Sequence, residues 1–320
     1  MNRILTVTIP QLTARHREEI RAAAEARGLE ALFFEREEDA LSALAGTEIL
    51  FSQSDRLARH APGLRWQCTP SAGVDHLRKE NVFPNPDTVL TNSSGAYGVT
   101  ISEHVVMVTL EIMRRQQEYT RVVEARGWER GLAVRSIRNC RILLMGTGDI
   151  GQETAKRLRA FGPASLTGMN RSGRNPDGLF DRVITAEELD GILPETELLV
   201  LSLPDTGETR RMMDARRLAL LPDGAILVNV GRGSAVAQDA LEKELRAGRL
   251  HAALDVFEQE PVPPEDGIWT CPNLLITPHT AGNMTLPYTL DRIVALFLED
   301  LDNYCAGRPL LRRVDPRKGY

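Results

Sequence analysis

Short apolar runs alternate with amphipathic stretches along most of the chain. In the first third we predict strands at about 3–9, 48–52, 65–69 and 88–92, and a charged helix from Thr13 to Arg27. After residue 140, strand-like runs recur at 142–145, 165–170, 182–184, 198–203, 225–230, 252–256 and 274–277. Helices are predicted between several of these runs, starting at Ala186, Asp214 and Ala235, with Gly248 as the C-cap of the last. This alternation is typical of parallel sheets covered by helices and predicts an α/β protein.

The strand predicted at 142–145 leads directly into a glycine-rich turn and a helix that continues to Phe161. Gly146 permits the tight turn, Gly148 lets backbone N–H groups approach a pyrophosphate, and Gly151 lets the helix pack close to the strand. The start of the helix adds unpaired N–H donors and the positive end of its dipole. A strand on each side of this unit supports a nucleotide-binding βαβ unit, and its candidate cofactor-binding residues are Gly146, Gly148, Asp149, Ile150 and Gly151.

The 320 residues suffice for two domains. We expect two doubly wound parallel-sheet domains, in which a Rossmann dinucleotide-binding domain at 99–284 is inserted into a flavodoxin-like substrate domain. The substrate domain would comprise residues 1–98 and 285–320, with an amphipathic helix at about 286–306 carrying the chain back to it. Residues 1–98 contain no phosphate-binding glycine pattern, which is why we assign them to the substrate domain. We expect a cleft between the domains.

Charge and composition exclude several classes of partner. The formal net charge is −5 and the isoelectric point is near 5.8, so we expect neither a nucleic acid nor a membrane surface as partner. The first residues run directly into a strand-like segment, so we expect no secretion signal. Four scattered cysteines, at positions 68, 140, 271 and 305, lack metal-binding spacing. We expect a cytoplasmic protein without a metal site.

An apolar helix is predicted at about 100–115. A helix of this composition must be buried, either between domains or against a second subunit. Two titratable residues lie near its start. We interpret Glu103 as a first-turn charge favoured by the helix dipole, and His104 as a structural residue.

Three chemically distinctive segments follow the predicted strands of the second domain. Arg232 lies among glycines after one strand, three acids lie between Asp255 and Glu260 after the next, and His279 follows the last. The carboxyl ends of parallel strands share one edge of the sheet, where a cofactor would also lie. We therefore expect an arginine, an acid and a histidine to converge beside a nicotinamide. In the first domain, the small residues Ala72, Gly73 and Val74 follow a strand and could present N–H groups to an anion.

These motifs, in this order and spacing, resemble the D-isomer-specific 2-hydroxyacid dehydrogenases over nearly the whole chain. The resemblance implies that Arg232 binds substrate, that Glu260 pairs with the histidine, and that His279 donates and accepts the proton. It also implies that Asp255 orients the nicotinamide carboxamide and that the backbone of 72–74 holds the substrate carboxylate. The further cofactor-binding residues that it implies are Leu203, Pro204, Val230, Gly231, His279 and Ala281. Family members usually form homodimers through the nucleotide domain.

The resemblance predicts an NAD(P)-dependent oxidoreductase that interconverts 2-oxo and 2-hydroxy acids. Reduction of a 2-oxo acid leaves negative charge on the carbonyl oxygen, which His279 can neutralise with a proton because histidine changes charge near neutral pH. A carboxylate at Glu260 would favour the protonated imidazole. Arg232 would fix the substrate and stabilise the developing oxyanion.

The choice between the two dinucleotides rests on the end of the second strand. NAD sites usually carry an acid there for the ribose 2′-hydroxyl. The stretch at 168–174 contains none, and Arg171, Ser172 and Arg174 are able to bind a 2′-phosphate, so we expect NADP. The alternative is NAD with Asn170 on the ribose and the arginines solvated. The segment 162–165 looks one residue longer than the family pattern, so the alignment of Asn170 is open by one position.

Other interpretations stay open. Formate dehydrogenases resemble the chain but carry glutamine where Glu260 stands. The alternative from another class is a corepressor-like protein that senses dinucleotide without catalysis. The substrate ranges from glyoxylate and hydroxypyruvate to bulkier 2-oxo acids, and Tyr97, Met284 and Tyr288 are candidate pocket walls.

Overall fold

The computed structural model describes residues 3–78, 81–176 and 178–315. The chain divides into two compact units, one formed by Met1–Tyr97 with Asn283–Tyr320 and the other by Gly98–Gly282. The predicted domain boundaries at 98/99 and 284/285 lie within one or two residues of these divisions. Residues 316–320, which the prediction placed in the substrate domain, lie outside the described residues.

Twelve strands and ten α-helices lie in the described ranges. The strands are β1 (Arg3–Val7), β2 (Leu29–Phe33), β3 (Thr47–Phe51), β4 (Trp66–Cys68), β5 (Val89–Thr91), β6 (Arg141–Met145), β7 (Ser165–Met169), β8 (Arg182–Ile184), β9 (Leu198–Leu201), β10 (Ile226–Asn229), β11 (His251–Leu254) and β12 (Leu274–Ile276). The helices are α1 (Ala14–Glu25), α2 (Glu37–Ala40), α3 (Asp55–Arg59), α4 (Gly98–Met113), α5 (Gln116–Glu124), α6 (Asp149–Arg159), α7 (Leu189–Ile192), α8 (Ala215–Leu220), α9 (Gln238–Arg246) and α10 (Pro287–Cys305).

The first unit is built on a five-stranded sheet with the order β2-β1-β3-β4-β5. Every strand pair in it is parallel. This is the strand order of flavodoxin-like folds. Helix α10 packs on this sheet through Phe297, whose ring stacks on Phe51 at a centroid distance of 4.0 Å. The returning helix therefore completes the core of the first unit, as predicted.

The second unit is built on a seven-stranded sheet with the order β12-β11-β10-β9-β6-β7-β8. All of its strand pairs are parallel as well. The order reverses at β6, which lies between β9 and β7, and ligands of doubly wound sheets bind at the carboxyl end of such a reversal. The sheet confirms the predicted doubly wound fold of about seven strands.

Helix α4 corrects one expectation. The sequence predicted burial between domains or against a second subunit, but α4 packs on α6 and on strands β10 and β11 of its own unit. Val105 and Val108 are fully buried there, whereas Met107 is 46% exposed. The apolar residues of α4 therefore contribute mainly to the core of the second unit.

Other elements also differ from the predictions, since strand β2 and helices α2, α3 and α5 were not predicted. Strand β2 was missed because Glu30 separates Leu29 from the apolar residues that follow it. Helix α9 begins at Gln238 rather than at Ala235, because residues Gly233–Ala235 form a separate turn of 3₁₀-helix. Gly248 does cap this helix, with a φ of 72°. None of the helices in the described part has the length and apolarity that crossing a membrane requires.

Candidate active site

The turn after β6 depends on two glycines for its shape. Gly146 has a φ of 106°, and a Cβ there would lie 2.9 Å from the carbonyl oxygen of Ser202. A Cβ at Gly151 would lie 2.0 Å from the carbonyl oxygen of Gly146. No larger residue fits either position without moving the backbone, so the predicted physical roles of these glycines are present.

The middle glycine of the turn faces open space. Gly148 is the N-cap of α6 without a side-chain hydrogen bond, and a Cβ there would meet nothing within 4 Å. The first N–H groups of α6 thus have room beside them for a phosphate group. Asp149 directs its carboxylate elsewhere, since its Oδ2 accepts a hydrogen bond of 2.7 Å from the Gly98 N–H. Asp149 and Ile150 would therefore contribute to cofactor binding through their backbones.

Asn170 directly follows β7. The register pairs Met145 with Met169, which places Asn170 level with Gly146 at the carboxyl end of the sheet. Its Nδ2 donates to Thr147 Oγ1 at 2.8 Å, and its Oδ1 accepts from the Ser172 N–H at 3.0 Å. Arg171 and Ser172 are exposed in the turn that Asn170 organises.

The loops after β9 and β10 touch through their backbones. A Cβ at Gly231 would lie 2.6 Å from the Leu203 nitrogen. Asn229 fixes the second loop, because its Oδ1 accepts from the Gly231 N–H at 3.1 Å and its Nδ2 donates to the Arg232 carbonyl at 3.0 Å. Leu203 and Val230 are buried beside this contact, and Pro204 is half-buried.

The turn that carries Arg232 also packs on the next loop of the sheet edge. A Cβ at Gly233 would lie 1.9 Å from the carbonyl carbon of Phe257. Arg232 is half-buried, and its Nη1 donates to the Gly231 carbonyl at 2.9 Å. The structure thus brings the arginine-bearing turn against the segment that carries the three acids.

Glu260 and His279 are in direct contact. His279 Nδ1 lies 2.6 Å from Glu260 Oε2, and Glu260 Oε1 accepts a hydrogen bond of 2.9 Å from the Phe257 N–H. Both carboxylate oxygens are therefore engaged, which fixes the carboxylate and through it the imidazole ring. The imidazole is 54% exposed, so it remains open to a reactant.

The backbone of His279 is held in an unusual conformation. Its φ is 53°, in the left-handed region that residues other than glycine seldom adopt. Its N–H donates to the Asp255 carbonyl at 2.9 Å. The left-handed backbone sets the direction of the histidine side chain, and the surrounding hydrogen bonds must maintain this conformation.

Asp255 supplies those bonds with its side chain. The carboxylate is only 2% exposed and accepts three hydrogen bonds from the loop that carries His279. Oδ1 accepts from Thr277 Oγ1 at 2.6 Å and from the Thr280 N–H at 2.8 Å, and Oδ2 accepts from the Ala281 N–H at 3.0 Å. Sequence reasoning missed this bracing. The contact of Asp255 with the nicotinamide stays a prediction.

The predicted anion cradle lies in the first unit, where polar side chains hold its carbonyl groups. Asn92 Nδ2 donates to the Ala72 carbonyl at 2.8 Å, and Ser71 Oγ donates to the Gly73 carbonyl at 2.8 Å. The backbone of 72–74 is therefore fixed, and Val74 is anchored in the core. Asn92 and Ser71 were not assigned this role from the sequence, although Asn92 was part of the family resemblance.

The candidate pocket walls differ in environment. Tyr97 is buried, and its hydroxyl donates to the Pro70 carbonyl at 2.6 Å. Met284 is half-buried and Tyr288 is exposed. The bond of Tyr97 makes it a support of the segment before the cradle, while a role of the other two in a pocket stays a prediction.

Comparison with known proteins decides the family. Residues 106–281 match the family model described as D-isomer specific 2-hydroxyacid dehydrogenase, NAD binding domain. The chain belongs to the D-isomer specific 2-hydroxyacid dehydrogenase family. The predicted resemblance is confirmed, and the protein is an NAD(P)-dependent oxidoreductase that acts on 2-hydroxy acids.

Three similar proteins show the extent of the match. Glyoxylate/hydroxypyruvate reductase A of Salmonella newport (strain SL254) is 31% identical over 224 residues, which is 70% of each chain. A D-isomer specific 2-hydroxyacid dehydrogenase family protein from Aeromonas salmonicida subsp. salmonicida A449 is 33% identical, with a TM-score of 0.88 over 99% of this chain and 100% of that chain. An NADPH-dependent glyoxylate/hydroxypyruvate reductase from Sinorhizobium meliloti, solved with NADP and sulfate, is 28% identical, with a TM-score of 0.82 over 99% of this chain and 100% of that chain. The predicted fold class is confirmed, and its enzyme relatives favour catalysis over the corepressor-like alternative.

Proposed function

We propose that the dehydrogenase reduces small 2-oxo acids with NADPH and that His279 is the proton donor. The observation that carries the proposal is the 2.6 Å contact between His279 Nδ1 and Glu260 Oε2. A carboxylate at this distance stabilises imidazolium, which is the form that can protonate a carbonyl oxygen. Because Nδ1 is bonded to Glu260, we assign proton transfer to Nε2.

Residues of the second unit divide the chemistry among them. When bound, the reduced nicotinamide supplies the hydride. His279 Nε2 delivers the proton to the carbonyl oxygen and takes it back in the reverse reaction. The Arg232 guanidinium binds the substrate and stabilises negative charge as it develops on that oxygen. Glu260 keeps the imidazole in orientation, and Asp255 holds the loop from which the imidazole projects.

The glycine turn fits a dinucleotide. Open space beside Gly148 and the absence of a side-chain cap on α6 leave backbone N–H groups for the pyrophosphate. At the end of β7, Asn170 stands where an NAD site usually has a carboxylate. Without that negative charge, exposed Arg171 and Ser172 suit a 2′-phosphate, which supports NADPH as the preferred cofactor. The similar reductase from Sinorhizobium meliloti was solved with NADP.

The relatives also suggest the substrate. Both reductases named above act, by their names, on glyoxylate and hydroxypyruvate. We propose short 2-oxo acids of this kind for the dehydrogenase. In the second unit Arg232 is the candidate substrate-binding residue, and in the first unit the backbone of Ala72, Gly73 and Val74 is the candidate cradle for a carboxylate.

The test is a panel of 2-oxo acids assayed with both reduced cofactors. We expect the highest kcat/KM for glyoxylate or hydroxypyruvate with NADPH. Arg171→Ala should raise the KM for NADPH roughly tenfold or more, as the loss of a charged phosphate contact does, and leave the KM for NADH unchanged. Arg138→Ala, which removes another exposed arginine, is the matched control. Equal or better use of NADH by the wild-type enzyme would refute the NADPH preference, and highest activity on a bulky 2-oxo acid would refute the substrate assignment.

We also propose a homodimer. The arm, which we define as residues 116–136, includes α5, and no residue of α5 is buried. Val123 is 70% exposed and Trp128 89% exposed on this arm, and such apolar surface is typical of an interface. Arginines and glutamates alternate along it, so two copies related by a two-fold axis could pair opposite charges.

Sedimentation tests the dimer directly. We expect a mass near twice 35.5 kDa at micromolar concentration, and a shift to the single mass in a Val123→Ser, Trp128→Ser double variant. A monomeric wild-type enzyme would contradict the proposal. A cytoplasmic location remains a proposal from the sequence.

A further inference from the structure

A histidine outside the proposed catalytic set reaches the loop that carries His279. His104 lies in the second turn of α4 and is half-buried. Its Nε2 is 3.3 Å from Thr277 Oγ1, and the same hydroxyl lies 2.6 Å from Asp255 Oδ1. Three side chains from α4 and from the loops after β11 and β12 therefore form one hydrogen-bonded chain.

The direction of this chain follows from the donors available. The Asp255 carboxylate only accepts, so the single hydrogen of the Thr277 hydroxyl goes to it. The hydroxyl must then accept from His104, which requires a hydrogen on Nε2. Burial lowers the pKa of His104, while the Asp255 and Glu111 carboxylates oppose this shift. A neutral imidazole protonated at Nε2 satisfies the chain at neutral pH.

The chain ends on the groups that shape the His279 loop. The carboxylate of Asp255 also accepts the N–H groups of Thr280 and Ala281 at 2.8 and 3.0 Å. His279 between them has a φ of 53°, a conformation that persists only where neighbouring bonds impose it. A free hydroxyl at Thr277 could rotate away from Asp255, and His104 prevents this by occupying the lone pair on the other side.

We propose that His104 is a positioning residue, which through Thr277 and Asp255 holds the 277–281 loop so that His279 stays against Glu260. The proposal rests on the proposed role of His279 and adds to it a residue that sequence reasoning interpreted as merely structural. His104 touches no reacting atom in this scheme. Its effect is on the orientation of the proton donor.

Paired variants at Thr277 provide the main test. Thr277→Val keeps the shape of the side chain and removes the hydroxyl, whereas Thr277→Ser keeps the hydroxyl. We expect Thr277→Val to lower kcat for the 2-oxo acid about threefold to tenfold, as the loss of one hydrogen bond does, with KM within about twofold. Thr277→Ser should recover most of the lost kcat.

Variants of His104 test the first member of the chain. His104→Gln places an amide N–H near the position of Nε2, and His104→Leu places no donor there. We expect His104→Leu to behave like Thr277→Val, and His104→Gln to retain most of the activity. His251→Gln is the matched control, since His251 is also half-buried but begins β11 at the opposite edge of the sheet. Wild-type kcat in both His104→Leu and Thr277→Val would overturn the proposal.

Amide hydrogen exchange tests the bracing without relying on turnover. We expect the amides of Thr280 and Ala281 to exchange about tenfold faster in Thr277→Val than in Thr277→Ser, the larger end of what one lost bond produces. Ala253, inside β11, should exchange equally in both. Equal exchange at Thr280 and Ala281 would overturn the positioning role whether or not the enzyme turns over. If exchange is faster in Thr277→Val than in Thr277→Ser but the wild-type enzyme reduces no 2-oxo acid, the bracing is supported and only the proposed function is refuted.

Discussion

The two units have parallel sheets of related topology but very different carboxyl edges. In the first unit this edge carries hydroxyls and amides bonded to one another and to the backbone. Thr8 Oγ1 donates to Ser52 Oγ, Gln67 Nε2 donates to the Ser52 carbonyl, and Asn92 holds Ala72. In the second unit the edge carries an arginine, two carboxylates and a histidine. The edge of the first unit fixes backbone groups that could bind an anion. The edge of the second unit carries charged side chains, among them a histidine that could transfer a proton.

The first turn of each sheet shows why only one unit suits a phosphate. In the second unit, β6 ends at Met145 and α6 begins at Asp149 without a side-chain cap. In the first unit, β1 ends at Val7 and α1 begins at Ala14, where Thr13 caps the helix by accepting from the His16 N–H. A capped helix has used a donor that a phosphate would need. The same topology therefore forms a nucleotide site only where a short glycine turn leaves the helix uncapped.

The largest effect should come from removing the proton donor at the charged edge. His279→Ala should lower kcat by roughly two to four orders of magnitude, the range for loss of a general acid. Steady-state turnover of the best 2-oxo acid measures the effect. Because the imidazole is 54% exposed, the free energy of unfolding should change little, and denaturation of the variant serves as the control. Near-normal turnover would remove His279 from the mechanism.

A smaller effect is expected when the charge beside the histidine is neutralised. Glu260→Gln keeps the size of the side chain but removes the charged acceptor that holds the His279 ring. We expect kcat to fall roughly tenfold, as the loss of a hydrogen bond to a charged group does. Glu258→Gln is the control, since Glu258 is an exposed acid in the same loop. An unchanged kcat would show that the 2.6 Å contact does not support the donor.

The carboxyl edge of the first unit predicts a different kinetic signature. Asn92→Ala releases the Ala72 carbonyl and loosens the cradle, so the KM for the 2-oxo acid should rise roughly threefold to tenfold with a smaller change in kcat. Asn85→Ala is the matched control, because Asn85 also holds a carbonyl of the first unit, that of Leu64, but before β4 rather than after it. A loss confined to kcat would contradict a binding role for the cradle.

Sequence reasoning identified the elements that carry a strong local signal. The buried strand before Gly146 and the glycine turn were predicted because an apolar run and a fixed glycine spacing each have a direct physical meaning. The pairing of Glu260 with His279 followed from a family motif. Strand β2 was missed because Glu30 separates Leu29 from the apolar residues that follow it.

The bracing of the His279 loop has no comparable signal. Asp255 bonds to Thr277, Thr280 and Ala281, which lie more than twenty residues later in the chain. These bonds depend on the left-handed backbone at His279, and no pattern of apolar or polar positions predicts a positive φ at a histidine. For the same reason His104 was assigned a structural role, since its partner Thr277 is remote in sequence. Contacts between loops of adjacent strands are set by the assembled sheet.

The smallest expected effect is on the pH dependence of stability. It distinguishes two half-buried histidines of the second unit from the buried histidine of the first. In the second unit, burial lowers the pKa of His104 and of His251 below 6.5. Between the folded value and 6.5, the unfolded chain binds more protons than the folded chain, so stability falls as the pH drops through this window. In the first unit, buried His16 has a carboxylate partner, with Nε2 2.7 Å from Asp291 Oδ1.

Urea denaturation at pH 7 and pH 5.5 tests this difference. We expect the free energy of unfolding of the wild-type enzyme to fall between pH 7 and pH 5.5. In a double variant with His104→Gln and His251→Gln, both in the second unit, the fall should be smaller. Other titrating groups contribute equally to both proteins, so the difference between the two slopes isolates the histidines. An equal or steeper loss in the double variant would mean that burial of these two imidazoles does not oppose their protonation. The contrast between the units would then rest on their carboxyl edges alone.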